Sequence, residues 1–238
     1  MLVWLDSHFL NFEGFRIYEW KGRGLSFLLL GSNMENGKMA KTILELVPKV
    51  DVPEGESGVW KVERYALSDD DVSVHNIRCR FKPEMRGREI PPGTYTRLLR
   101  GWRTIMSDIP AERYDLLDFA EVATGTVLIN GLGLGVAANA ALLNPAVKHV
   151  TVVEISQDVI DLVADHLLRK YSDKIMVVHA DCFEWKPPKC KRYNCVWHDV
   201  WDNICFDNLK EMTKLKRKYG RRCDWQACWS EELCRMGR

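Results

Sequence analysis

Along this chain the rhythm of apolar positions changes near residue 125. Before it, "VWKVERYAL" (59–67) alternates apolar or aromatic with charged residues, as a half-buried strand does. "SDDD" reads as a turn, and "VSVHNIRCRF" alternates again. With "PPGTY" as a further turn, Val59 to about Leu99 is expected to be β-rich. Residues 107–125, "SDIPAERYDLLDFAEVATG", predict a lead-in helix: Ser107 or Asp108 caps it, Pro110 suits its first turn, and Gly125 closes it. After Gly125, continuous apolar runs alternate with helical periodicities. "TVLING", "HVTVVEIS", "KIMVVHAD" and "YNCVWHDVW" predict four buried strands. "VAANAALLN" predicts a short helix stopped by Asn144-Pro145. "QDVIDLVADHLLRKY" predicts an amphipathic helix with Ile160, Val163, Ala164, Leu167 and Leu168 on one face. "DNLKEMTKLKRKYG" predicts a helix with a basic face, and "DWQACW" either a fifth strand or part of a closing helix with "SEELCRMG". Apolar strands separated by helices of this length imply an α/β fold: a doubly wound parallel sheet covered on both faces, abbreviated at the C-terminus, behind a small N-terminal β-rich segment.

Three regions follow from this pattern: 1–38, 39–103 as a small β-rich domain, and 104–238 as the α/β domain. Residues 1–38 are aromatic and glycine-rich without clear periodicity. Two readings stand: an extension upstream of a natural start at Met39, or a small packed N-terminal segment. A length of 238 residues allows a domain of ordinary size with an appendage. The formal charge of +1 argues against a nucleic-acid binder held by overall electrostatics. The basic run Lys210–Arg222, near Trp225 and Trp229, reads as a solvated helix face, so a nucleic-acid partner is not supported. The apolar run Leu25–Gly31 is far too short to span a membrane, and no signal-peptide pattern precedes it. Of eight cysteines, Cys190 and Cys195 are five apart, as are Cys223 and Cys228. That is not the spacing of a structural zinc site, so buried reduced thiols, no metal and a cytoplasmic location are expected.

In a doubly wound sheet, ligands bind beyond the carboxyl ends of the strands. Four predicted strand ends carry chemistry. After the first come Gly131, Gly133 and Gly135, which allow something close to the backbone. The dinucleotide spacing G-x-G-x-x-G/A would place its last glycine at Val136, where bulk interferes with helix–strand packing. Glu154 ends the second strand, where a carboxylate can accept from both hydroxyls of a ribose. Asp181 and Cys182 follow the third, with Phe183 and Trp185 placed to cover a base. Asp199 follows the fourth strand and Asp202 comes three later, with His198 beside them as a further general-base candidate.

The stretches "VLINGLGLG", "VVEIS", "VHADCFEW" and "YNCVWHDVWD" resemble the successive motifs of class I S-adenosylmethionine-dependent methyltransferases, more narrowly the spermidine-synthase-like branch. Asp199-Val200-Trp201-Asp202 matches that branch's D-x-x-D. The resemblance covers about 95–205 and is firm over 126–202. It implies a Rossmann-like domain binding S-adenosylmethionine through Gly131, Gly133, Gly135, Glu154, Asp181 and Cys182. Asp199 and Asp202 would then be the catalytic candidates toward a small-molecule acceptor. Two departures bear on the chemistry. Polyamine synthases carry an Asp in the glycine loop where this chain has Leu134, which speaks against aminopropyl transfer. The N/D-P-P-aromatic motif of base-methylating amino enzymes is also missing: Pro187-Pro188 precede the fourth strand. A non-catalytic nucleotide-binding module is the alternative of another class. The short C-terminus leaves either an abbreviated sheet or an edge that a partner, such as another copy of the chain, would cover.

Overall fold

The computed structural model describes residues 45–82, 85 and 88–236, together with strands β1 (Asn11–Phe12), β2 (Phe15–Gly22) and β3 (Leu25–Ser32). The chain divides into two compact units, Met1–Ile43 and Leu44–Arg238. In the first, β1–β3 pair antiparallel in that order, β2 with β3 from Phe15↔Ser32 to Gly22↔Leu25. The expected start at Met39 lies outside the described residues.

The second unit opens with an antiparallel sheet in the order β4 (Gly55–Ser57), β5 (Trp60–Leu67), β6 (Gly93–Arg100), β7 (Arg103–Ser107). Between β5 and β6 the expected alternating strand is instead a helix, α1 (Asp69–Phe81). The reason is local. Ser68 Oγ accepts from Asp71 N–H at 3.3 Å and Asp71 Oδ2 accepts from Ser68 N–H at 2.8 Å, a capping box that starts a helix where a turn was expected. Asp69, Asp70 and Asp71 fill the first turn, and Arg78 and Arg80 the last, so both ends suit the helix dipole. Val72 and Cys79, two turns apart, are buried; Val74 and Ile77 are exposed.

The lead-in segment forms two short helices, α2 (Pro110–Tyr114) and α3 (Leu117–Val122). Pro110 takes the first position as expected, but Ile109 is the cap residue and makes no side-chain cap bond. Ser107 and Asp108 are used elsewhere: Ser107 bonds Glu112, and Asp108 Oδ1 accepts from Thr96 N–H at 2.7 Å. Gly125 does not close the helix. It opens β8 at φ 57°, where a Cβ would stand 2.1 Å from the Asn194 side chain.

From there strand and helix alternate: β8 (Gly125–Asn130), α4 (Val136–Leu143), β9 (Val147–Glu154), α5 (Gln157–Tyr171), β10 (Ile175–His179), β11 (Tyr193–His198), α6 (Asn208–Tyr219), β12 (Cys223–Cys228) and α7 (Glu231–Met236). The five strands are all parallel, in the order β10-β9-β8-β11-β12, so the fold is a Rossmann-like α/β. "DWQACW" is the fifth strand and "SEELCRMG" supplies the closing helix. Alternate residues feed the two layers. Val127, Ile129, Val152 and Trp197 pack on one face with Val163 and Leu167 of α5; Leu128, Val153 and Val196 pack on the other with Met212, Leu215 and Tyr219 of α6. On α5 the buried stripe is Val159, Val163, Ala164 and Leu167, with Ile160 partly packed. Leu168, expected on that face, is exposed. All eight cysteines are free, and Cys79, Cys182, Cys195, Cys228 and Cys234 are buried. Among the described residues no helix is long and apolar enough to cross a membrane.

Candidate active site

Strand order reverses between β8 and β11, and the crevice beyond their carboxyl ends is where such a sheet receives ligands. A cleft of about 390 Å³ lies there, within the size range of small-molecule sites, about 300–1,000 Å³. Gly131, Gly133, Glu154, Asp181, Cys182, Asp199 and Asp202 all line it. Of the cofactor-binding and catalytic candidates that the resemblance implied, Gly135 alone does not.

The three glycines have separate causes. Gly131, at φ 98°, lets β8 end against β11: a Cβ there would stand 1.9 Å from the Asp199 carbonyl oxygen. Gly133, at φ 52°, leaves room for Met106, whose Sδ would be 2.6 Å from a Cβ. The same thioether accepts the Leu134 N–H at 3.4 Å. Gly135, at φ 76°, precedes α4, and a Cβ there would stand 2.8 Å from Leu167 Cδ1, so it serves the packing of α5 beneath the loop. Leu134 is fully buried.

Glu154, at the end of β9, is buried and already holds two backbone donors: Leu132 N–H to Oε2 and Ser156 N–H to Oε1, each at 2.8 Å. It thereby ties the glycine loop to the start of α5, and each oxygen keeps a further lone pair. After β10, Asp181 Oδ1 caps the Phe183 N–H at 2.7 Å, whereas the Cys182 N–H has no acceptor among the described residues. Lys218 Nζ braces this turn, donating to the Cys182 and Phe183 carbonyls at 2.8 and 2.9 Å. Burial pushes the Cys182 thiol up to about 12, which keeps it protonated and inert. Phe183 lines the cleft; Trp185 does not.

Asp199 follows β11, its N–H bonded to the Asn130 carbonyl at 2.8 Å. Burial pushes its carboxyl up to about 7. The Trp197 indole beside it opposes this, and Glu112, Asp115 and Glu154 reinforce it. The Trp197 N–H nevertheless makes no hydrogen bond of ordinary geometry and is left buried without a partner. Asp202 is engaged elsewhere. The Arg100 guanidinium pairs with its Oδ2, Arg103 Nη1 stands 3.9 Å from the same oxygen, and Arg103 Nη2 donates to its carbonyl at 3.3 Å. It therefore ties the loop after β11 to the β6–β7 hairpin, and Arg100 also lies over Trp60, 5.5 Å from the ring. His198 sits wholly inside the sheet packing, away from the cleft. Its Nδ1 accepts from Asn130 Nδ2 at 2.7 Å, which leaves Nε2 as donor to Gln226 Oε1 at 3.3 Å. Burial pulls it down to about 4, so it stays neutral, and its place does not support a general-base role.

Residues ahead of the parallel sheet complete the cleft and were not singled out from the sequence: Trp60, Arg100, Met106 and Glu112, with Trp229 from beyond β12. Glu112 stands out. Ser107 N–H and Ser107 Oγ donate to its two oxygens, both at 2.7 Å, and burial pushes it up to about 7. Its signal in the sequence was only that of one acid among several in the lead-in segment.

No protein-family model and no curated protein matches the chain. Among solved structures it is similar to PH1948 from Pyrococcus horikoshii, provisionally named an RNA methyltransferase, at 20% identity and TM-score 0.41, over 53% of this chain and 61% of that one. It is similar to the CcbJ methyltransferase from Streptomyces caelestis at 20% identity and TM-score 0.38, over 46% and 43%. A third likeness is to an S-adenosylmethionine-dependent methyltransferase from Clostridium acetobutylicum, at 14% identity and TM-score 0.33, over 45% and 42%. The chain spans less than two thirds of each of these structures. What the cleft does has to be read from its own residues.

Proposed function

We propose that this chain is an S-adenosylmethionine-dependent methyltransferase acting on a small-molecule acceptor. One observation carries the reading: the strand ends bring the right donors and acceptors into one cleft. Glu154 keeps one lone pair on each oxygen for a ribose diol, and Asp181 beside the unpartnered Cys182 N–H offers the acceptor and donor that an adenine edge needs. Gly131 and Gly133 present backbone without a side chain on either side of Leu132, with Met106 sharing the space over Gly133. When bound, the cofactor would supply a methyl group activated by a sulfonium. The chain's own residues supply the rest. Phe183, Trp60, Trp201 and Trp229 wall the cleft with apolar surface, Glu154 and Asp181 fix the adenosyl part, and Asp199 stands where an acceptor's proton must go. Positioning in a dry pocket accounts for most of the rate in such a transfer.

Calorimetry with S-adenosylmethionine, its decarboxylated form and NAD tests the reading. S-adenosylmethionine is expected to bind and NAD not. Binding of NAD alone would overturn the assignment. Preference for the decarboxylated form would move it to aminopropyl transfer, which the Asp199–Asp202 spacing favours and the Arg100 tie on Asp202 disfavours.

A further inference from the structure

Besides the carboxyls expected at the strand ends, the cleft holds one from ahead of the parallel sheet. Glu112 reaches it from α2, and a run of contacts fixes where it sits. Ser107 holds both its oxygens; the preceding residue, Met106, lies on Gly133; and the same loop begins at Gly131, against the Asp199 carbonyl. Glu112 and Asp199 thus line one cleft beside the glycine loop. Among the described residues neither has an ion-pair partner. Arg88, a cation that acts on Glu112, is engaged by Asp115 at 2.6 and 3.0 Å. The Trp197 N–H, buried and without a hydrogen bond of ordinary geometry, lies beside Asp199 and favours its charged form.

We propose that Glu112 is a further functional residue of this cleft, forming with Asp199 a two-carboxyl unit that receives the proton an O–H or N–H acceptor gives up. The inference rests on the methyltransferase reading for its chemistry. An acceptor atom that gains a carbon must lose its hydrogen: the new bond forms, the electron pair of the broken bond leaves with the departing group, and the proton passes to the Asp199 carboxylate. Both carboxyls line one cleft and the Glu112 charge raises Asp199, so the ionisation of Asp199 answers to that of Glu112. Glu112 acts through Asp199 and is a positioning residue for its charge. The other groups that face the unit are Glu154 and Asp115, which push the same way as Glu112 does, and Arg88, which opposes on the Glu112 side.

The test needs no cofactor. Carboxyl carbons of the free protein are followed by NMR against pH in the wild type, Glu112→Gln and Asp199→Asn. Removing the Glu112 charge is expected to lower the Asp199 midpoint by about one pH unit; Glu112→Asp restores part of the shift. With an acceptor in hand, the acid limb of kcat/KM moves to lower pH by the same amount in Glu112→Gln, because Asp199 must be ionised to take the proton. An Asp199 midpoint unchanged in Glu112→Gln would overturn the unit. Failure of S-adenosylmethionine to bind in calorimetry would instead overturn the methyltransferase reading, and the NMR result stands apart from it.

Discussion

Gly131 and Glu154 show two ways in which single residues hold this cleft together. Gly131 combines a left-handed φ of 98° with a Cβ position 1.9 Å from the Asp199 carbonyl. Gly131→Ala therefore has to bend either β8 or the end of β11, and is expected to cost about 2 kcal/mol or more in chemical denaturation. Unaltered stability would mean that the close approach is not as drawn. Glu154 works by accepting. Its removal in Glu154→Ala strands the Leu132 and Ser156 N–H groups and deletes the ribose acceptor. Cofactor affinity is expected to fall by about tenfold or more, since charged hydrogen bonds are worth about 1.5–3 kcal/mol each. Unchanged affinity in calorimetry would place the ribose elsewhere. Both residues were legible in the sequence because strand ends in a doubly wound sheet meet along one edge. The Asp199 carbonyl against Gly131 and the Leu132 N–H on Glu154 were not, because each comes from a distant part of the chain.

Among the elements, the parallel strands were the most legible. Val150, Val152 and Val153 of β9 are buried by layers on both faces, so the strand reads as one apolar run. The α1 segment shows the opposite. "VSVHNIRCRF" satisfies a period of two on paper, yet only Val72 and Cys79 are buried, and the helix is specified by its ends. Ser68→Ala breaks the capping box and is expected to cost about 1 kcal/mol, with lost helical signal in the same melt. A cost near zero would show that α1 is held by packing alone. Glu112 was illegible for a related reason. The lead-in segment carries Glu112, Asp115 and Asp118 on helices of five and six residues, too short for a period to say which acid faces the cleft. Only Ser107 at the end of β7, holding the carboxylate, decides it.

At the scale of the whole molecule the shifted groups in and beside the cleft contribute to how stability depends on pH, and their signs oppose. Asp199 and Glu112 stand near 7 in the folded chain against ordinary values of 3.8 and 4.5, so between those limits the folded state binds protons that the unfolded chain has released. Their contribution is full below about pH 4 and is lost as pH rises toward 7. His198 runs the other way: held down to about 4 from 6.5, it contributes stability above the unfolded value and loses it as pH falls toward 4. Two protons against one leave a net fall in stability as pH rises through about 5–6.5, at most about 1.4 kcal/mol per pH unit, and less to the extent that water reaches the cleft. A Glu112→Gln, Asp199→Asn double variant removes the two carboxyl contributions and leaves that of His198. Its melting temperature relative to the wild type is therefore expected to climb steadily between about pH 5 and pH 7. Comparing the two proteins at each pH cancels every other titrating group, so a difference that stays flat across that window would show that the cleft carboxyls ionise as ordinary surface acids, and that the closed, dry cleft required for the transfer does not exist in the free protein.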